Sequence, residues 1–154
     1  MQTDGMKSWR PSIGVVCALC VSLLAGCSAT QSTGSVRTPQ ATARAYYEAV
    51  GSHRWNDAAA LLAPTQLQTF THDPGSDRNN TLSLSKIDVL MAHRAPFDDA
   101  RYPGYIDVWQ VLANYDAVYR KVFGTASGPQ TQFVELGHAT GSSSWRILSF
   151  GSGP

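Results

Sequence analysis

The stretch IDVWQVLANYDAVYRKV, residues 106–122, decides the fold of this chain. Apolar or aromatic side chains occupy its odd positions from Trp109 to Tyr119, whereas polar ones such as Gln110 and Asp116 recur at its even positions. An alternation with a period of two predicts a β-strand with one face on the core and a mixed opposite face. At about 17 residues it exceeds the usual strand length of about 3–10, so we expect strong bending or a bulge.

Further strands are predicted on both sides of this stretch, at 82–92, 131–140 and 144–150, where Val, Ile, Phe, Trp and Thr are frequent. Gly, Pro and Ser at 124–129 and 141–144 are typical of turns between strands. The later strands should therefore follow one another as an antiparallel meander.

Helical patterns precede the strands. The first helix should begin at Pro39, which suits the first helical position, and end at Gly51. Its apolar stripe has the spacing i, i+3, i+4, i+7 and consists of Ala43, Tyr46, Tyr47 and Val50. The same spacing predicts a second helix over 55–62 and a short third turn over 67–70. Helices followed by antiparallel strands indicate the α+β class.

The beginning of the chain has the parts of a secretory leader. Lys7 and Arg10 give a positive start, and no charged side chain follows between Ile13 and Gly26. Those 14 residues are too few for a membrane-spanning helix, which needs about 20. A leader that is removed is therefore favoured over one that is retained in the membrane, which stays as an alternative.

The sequence Leu24-Ala25-Gly26-Cys27 at the end of this leader resembles the lipobox of bacterial lipoproteins. The resemblance implies that residues 1–26 are a cleaved signal peptide. It also implies that the Cys27 thiol carries a diacylglyceryl group and that its amine carries an acyl chain such as palmitate. Two or three acyl chains anchor a protein durably, whereas one binds only marginally. An ordinary secretory leader with an incidental cysteine is the alternative.

All three cysteines lie in the first 27 residues, so the C-x-x-C spacing of Cys17 and Cys20 would be removed with the leader. Residues 27–38 follow as the lipidated cysteine and a small, polar stretch that is typical of a flexible tether. Residues 39–154 then make one domain of ordinary size. The expected location is the extracytoplasmic face of the cell membrane, or the outer membrane of a two-membrane bacterium.

The charge of the chain excludes one class of partner. Twelve Lys and Arg stand against 11 Asp and Glu, and cleavage before Cys27 would leave 10 of each. A neutral domain without a basic cluster lacks the charge that attracts nucleic acid or anionic lipid. We therefore expect no nucleic-acid partner and attachment to the membrane through the lipid on Cys27 alone.

Several segments resemble the NTF2-like, or cystatin-like, superfamily. They are Thr38-Pro39, the run AYYEA at 45–49, the segment 55–64 and the closing run SWRILSFGSGP at 144–154, which is similar to the last strand of small lipoproteins in that superfamily. The resemblance implies an α+β cone, in which N-terminal helices pack on a curved antiparallel sheet of about four strands and enclose a pocket. Some members are isomerases, dehydratases or hydrolases with Asp, His or Tyr in the cone. Others only bind or assemble, often as dimers formed through the open face of the sheet.

Four side chains are candidates to line such a pocket: Tyr46, His93, Trp109 and Tyr115. Counting along the first strand places His93 on the side of the apolar odd positions, where it could bind a ligand or transfer a proton. The plainer alternatives are a half-solvated histidine at a strand end and aromatic residues of the core. The adjacent Asp98-Asp99 pair lies in a loop-like stretch, where carboxylates commonly cap turns.

The motifs of common cofactor and metal sites do not occur in this sequence. The four histidines are scattered without zinc-like spacing, and there is no G-x-S-x-G or phosphate-cradling glycine motif, so we expect no metal and no cofactor. The favoured function is a non-catalytic, lipid-anchored module that binds a small ligand or an envelope protein. The alternatives are a pocket enzyme of the isomerase, dehydratase or hydrolase type and a structural subunit of an envelope assembly, with a homodimer as one form.

Replacement of Cys27 by serine should abolish lipid attachment, because the cysteine thiol is the group that would carry the diacylglyceryl chain. Growth with a palmitate analogue that can be detected on the protein measures the result, and the Cys27→Ser chain should carry no label. The matched control is Cys20→Ser, which changes a cysteine outside the lipobox and should leave the label in place. Label that persists in the Cys27→Ser chain would contradict the lipobox interpretation.

Overall fold

The structure is a computed structural model that describes residues 37–95 and 101–151. The predicted lipobox and signal peptide, nearly all of the tether and the Asp98-Asp99 pair lie outside these residues. Within the described ranges, helices precede strands in the order α1 (Pro39–Gly51), α2 (Trp55–Ala59), α3 (Pro64–His72), α4 (Asp77–Asn80), β1 (Thr81–Arg94), β2 (Tyr105–Tyr119), β3 (Gly128–Ala139) and β4 (Trp145–Gly151). No strand end differs from its predicted position by more than three residues.

The strands form an antiparallel sheet in the order β1-β2-β3-β4. The register between β1 and β2 shifts at several points, and β2 also shifts against β3 between Ile106 and Trp109. Lys86 in β1 and Asp107 in β2 both have a φ of 51° at such shifts, as occurs where an extra residue bends a strand. The bulge that we expected from the length of β2 is therefore present.

Helix α1 packs on one face of the sheet with the apolar stripe that its sequence predicts. Tyr46, Tyr47 and Val50 are at most 1% exposed and belong to the main core. They share that core with buried odd positions of β2 and with residues of β3 and β4, namely Val111, Ala113, Tyr115, Ala117, Val134, Leu136 and Ile147. Gly51 allows the end of α1 to approach β1, because a Cβ at this position would lie 3.2 Å from the carbonyl oxygen of Leu84.

Helix α2 is shorter than its predicted range of 55–62, because the chain after Ala59 pairs with a strand. Leu62 forms a parallel bridge with Ile147 of β4. The Ile147 N–H donates to the Leu61 carbonyl, and the Ala63 N–H donates to the Ile147 carbonyl, both at 2.8 Å. These backbone bonds satisfy groups on the outer edge of β4, so the gain from pairing outweighs the continued helix.

The α+β NTF2-like cone that the sequence suggested is wrong. Within the described residues, the molecule is mainly an antiparallel sheet with strands of 14, 15, 12 and 7 residues, whereas the helices after α1 have only 5, 9 and 4 residues. Tyr46, Tyr47 and Tyr115 fill the space between α1 and the sheet, where a cone would have its pocket. The ring centroids lie 5.4 Å apart for Tyr46 and Tyr47 and 4.8 Å apart for Tyr47 and Tyr115. Ring packing at these distances makes this region part of the core.

Truncation of Leu136 to alanine should lower the free energy of unfolding by about 2–5 kcal/mol, because this side chain is fully buried between sheet and helices. Urea denaturation of the purified chain measures the change. The control is Leu90→Ala, whose side chain is 50% exposed on β1 and should change stability by about 0.5 kcal/mol or less. Equal losses in the two variants would contradict the position of the core.

Candidate functional site

A cleft of about 270 Å³ lies beside the main core, between α3, α4 and the strands β3 and β4. Its lining combines aromatic rings with two carboxylates and several neutral polar groups. The rings belong to Tyr46, Phe70, Phe123 and Phe150, and the carboxylates belong to Asp73 and Asp77. A concave site with apolar walls and a few polar groups is the usual form of a small-molecule site.

Side-chain hydrogen bonds hold the chain between α3 and α4 in the shape that forms one wall. Asp73 Oδ1 accepts from the Gly75 N–H at 2.7 Å, and Ser76 Oγ donates to the Phe70 carbonyl at 2.8 Å. Asn79 Nδ2 donates to the Asp73 carbonyl at 2.8 Å. Asp, Ser and Asn commonly stabilise turns in this way, and here they place Asp77 at the start of α4.

The connection after β2 supplies another wall. The Asn80 side chain binds the start of this connection through two hydrogen bonds to the Lys121 backbone. The Lys121 N–H donates to Asn80 Oδ1 at 3.0 Å, and Asn80 Nδ2 donates to the Lys121 carbonyl at 2.9 Å. Phe123 then packs close to Gly75, where an added Cβ would lie 3.1 Å from the Cβ of Phe123. The buried Asn80 side chain therefore fixes the position of an aromatic wall that is itself 48% exposed.

Asp77 is the more buried of the two acids that line the cleft. Its Oδ2 accepts a hydrogen bond of 2.7 Å from the Tyr46 hydroxyl, and none of the ion pairs among the described residues includes Asp77. Burial raises the pKa of the Asp77 carboxyl above its ordinary value of 3.8, and the hydrogen bond from the Tyr46 hydroxyl offsets only part of this rise. An inward-facing carboxyl group with a raised pKa is common at functional sites.

Gln132 connects the cleft to the core. Its Oε1 accepts from the Tyr47 hydroxyl at 2.7 Å and from the Tyr115 hydroxyl at 3.1 Å. Two donors on one oxygen fix the orientation of the amide, and the amide nitrogen remains as a donor for the cleft. Burial raises the pKa of Tyr46, which lines the cleft, and of Tyr47 and Tyr115, which contact Gln132 from the core. Their hydroxyls therefore stay protonated near neutral pH and serve as hydrogen-bond donors.

The structure places the four residues that we proposed for a pocket in different surroundings. Tyr46 lines the cleft, whereas Tyr115 is a core residue that reaches the cleft indirectly through its hydrogen bond to Gln132. Trp109 is half-buried at the margin of the core and does not line the cleft. Cys27 lies outside the described residues, so its lipidation stays a prediction.

His93 is exposed on β1 and is not part of the site. A regular alternation would place His93 on the same face as Ile87 and Val89, which pack on the core. The register shift between Val89 and Ala92 interrupts that alternation, so Ala92 takes the core position and His93 does not. A one-residue irregularity in a strand moves every later side chain to the opposite face.

The most important polar residues of the cleft, Asp77 and Gln132, were not predicted from the sequence. Asp77 follows the turn residues Asp73-Pro74-Gly75 and carries no motif of its own. Gln132 occupies an ordinary position in a predicted strand. One signal was available: Gln132 lies two residues before the buried Val134 and so on the same face of β3. A polar residue on a core face needs a hydrogen-bond partner.

A buried carboxylate, that of Glu135, lies outside the cleft on the opposite face of the sheet. Glu135 is 5% exposed and accepts hydrogen bonds from Ser149 Oγ at 2.6 Å, from Arg101 Nη1 at 3.2 Å and from the Tyr102 hydroxyl. These bonds satisfy the carboxylate and hold residues 101–102 against the sheet. Glu135 therefore has a structural role, because its hydrogen bonds attach residues 101–102 to the sheet.

The described residues contain no helix that is both long and apolar enough to cross a bilayer. In the same parts of the chain, no three His, Cys, Asp or Glu side chains are grouped in a way that could hold a metal ion.

Comparison with known proteins leaves the family of this chain open. No protein-family model and no curated protein matches its sequence. A search of solved structures finds the solution structure of a SEC-C motif-containing protein from Rhodopseudomonas palustris, with 16% sequence identity and a TM-score of 0.48. The match covers 79% of this chain and 84% of the other.

We expect a titration of Asp77 to show a pKa above 3.8. Tyr46→Phe should raise it further, because the tyrosine hydroxyl stabilises the carboxylate. NMR of the carboxyl carbon during a pH titration of the full chain measures both values. A pKa for Asp77 at or below 3.8, or a lower pKa in Tyr46→Phe, would contradict this description of the cleft.

The same shift makes stability depend on pH. The folded-state pKa of Asp77 is higher than the unfolded one, so protonation favours the folded state. The stability that the protonated Asp77 carboxyl contributes is fully present below its pKa in the unfolded chain, about 3.8. It is lost as the pH rises through its pKa in the folded chain. Asparagine does not titrate, so the Asp77→Asn variant does not lose this contribution. The free energy of unfolding of the variant minus that of the native chain should therefore increase as the pH rises from acid to neutral, as measured by urea denaturation at several pH values.

Proposed function

We propose that this protein is a lipid-anchored extracytoplasmic module that binds a small molecule in the cleft beside Asp77 and does not catalyse a reaction. The lipobox-like run at 24–27 supports the anchor, and the small polar stretch that follows supports a tether. The observation that carries the binding function is the cleft itself, in which an inward-facing carboxyl group lies among aromatic rings.

The chemistry of the lining favours binding over catalysis. The nearest partner of Asp77 is Tyr46, whose pKa is raised by burial and then by the neighbouring carboxylate, so this phenol is a weak acid and a poor nucleophile. No histidine, lysine or cysteine is among the residues that line the cleft in the described parts of the chain. Asp77 and Gln132 are thus suited to orient a ligand by hydrogen bonds while the rings bury its apolar part.

Obstruction of the cleft should weaken binding without unfolding the protein. Thr69 is exposed on α3 and lines the cleft, so Thr69→Phe places a ring in the space that a ligand would occupy. Ligand-observed NMR of the full chain in zwitterionic lipid nanodiscs, with a library of cationic, anionic and neutral fragments, measures the result. Fragments that bind the native chain should bind the Thr69→Phe chain at least about tenfold more weakly.

Thr65→Phe is the matched control, because Thr65 is also exposed on α3 but does not line the cleft. Binding should be unchanged in that variant. A native chain that binds no fragment, or fragments that bind Thr69→Phe and the native chain equally, would overturn the proposed ligand site.

A further inference from the structure

We propose that the ligand of this cleft is a small organic cation, an ammonium group attached to an apolar or aromatic body. This inference rests on the proposed binding function and adds the chemical class of the ligand. It follows from the charge of the lining, from the rings around Asp77 and from the size of the space.

The charged groups that line the cleft all have the same sign. Asp73 and Asp77 are its two carboxylates, and no lysine or arginine is among the residues that line it within the described chain. Each carboxylate uses one oxygen within the protein, Asp73 Oδ1 for the Gly75 N–H and Asp77 Oδ2 for the Tyr46 hydroxyl. A carboxylate has further acceptor capacity on both oxygens, so both can accept N–H donors from a ligand.

The Asp77 carboxyl group also has no partner of opposite charge within the described residues. It makes none of the ion pairs that the described residues form, although taking a carboxylate out of water without a cation is costly. A ligand ammonium group would supply that charge at the position where the protein does not. A ligand anion would add repulsion from two carboxylates in a partly enclosed space.

The aromatic walls favour a cation as well. Phe123, 48% exposed, and Phe150, partly exposed, both line the cleft and offer ring surface to a ligand, and the Phe150 ring lies 5.2 Å from the Tyr46 ring, between centroids. Ring faces attract cations that lie within about 6 Å of the centroid, and the attraction grows when the cation is desolvated. A space of about 270 Å³ admits a molecule with one ring and a short amine chain.

Isothermal titration of the full chain in zwitterionic nanodiscs tests the charge preference with two probes of nearly equal shape, 2-phenylethylammonium and 2-phenylethanol. The ammonium probe should bind at least about tenfold more tightly, because a hydrogen bond to a charged group and a cation–π contact distinguish the two. Asp77→Asn keeps an oxygen for Tyr46 and removes the charge, so it should reduce binding of the ammonium probe at least about tenfold. The alcohol should be affected less.

The charge-matched control is Asp88→Asn, because Asp88 is an exposed aspartate of β1 outside the cleft and pairs only loosely with Arg44, at 3.9 Å. It should bind both probes as the native chain does. A second cleft variant, Asp73→Asn, should also weaken the ammonium probe, and it covers the case in which Asp77→Asn does not fold.

The outcomes separate this inference from the binding function on which it rests. If both probes bind equally and Thr69→Phe weakens both, the cation inference is overturned and the ligand site stands. The cation inference is also overturned if the ammonium probe does not bind, or if it binds Asp77→Asn and Asp73→Asn as tightly as the native chain. In that case the fragment library, tested on the native and Thr69→Phe chains, shows whether the cleft binds any ligand.

Discussion

The packing of Tyr46 and Tyr47 between α1 and the sheet is the contact on which the rest of the structure depends. The two rings are buried in the core, yet each hydroxyl reaches a polar partner, Asp77 of α4 for Tyr46 and Gln132 of β3 for Tyr47. A buried phenol needs such a partner, since an unpaired hydroxyl in the core costs free energy. The same two side chains therefore join the first helix to the sheet and position the polar groups of the cleft.

Local patterns in the sequence were sufficient for the strands, their order and α1, but not for α4 or for the packing of the helices on the sheet. The alternation around Val111 and Tyr115 predicted β2, and the stripe that includes Tyr46 and Tyr47 predicted the buried face of α1. Whether the helix and the sheet enclose a pocket depends on how completely side chains from distant segments fill the space between them, which periodicity does not encode. The resemblance to the NTF2-like cone rested on apolar segments that fit more than one architecture.

The site was harder to predict than the fold, for two physical reasons. His93 was assigned to the inner face by counting residues, but the irregular register of β1 reverses that count. Asp77 belongs to a helix of four residues, and its inward position results from hydrogen bonds of its neighbours Asp73 and Ser76. Tertiary contacts of this kind leave no periodic signal, so Tyr46 was the one proposed residue that proved to line the cleft.

The pairing of residues 61–63 with Ile147 also occupies backbone groups on the outer edge of β4, which hinders strand addition there. The strand at the other end of the sheet order is β1. That edge is interrupted by bulges, and Lys86 and Asp116 form an ion pair of 2.7 Å beside it. Irregular and charged edges resist strand addition. Copies of this chain at high local concentration would therefore be protected against joining their sheets into aggregates.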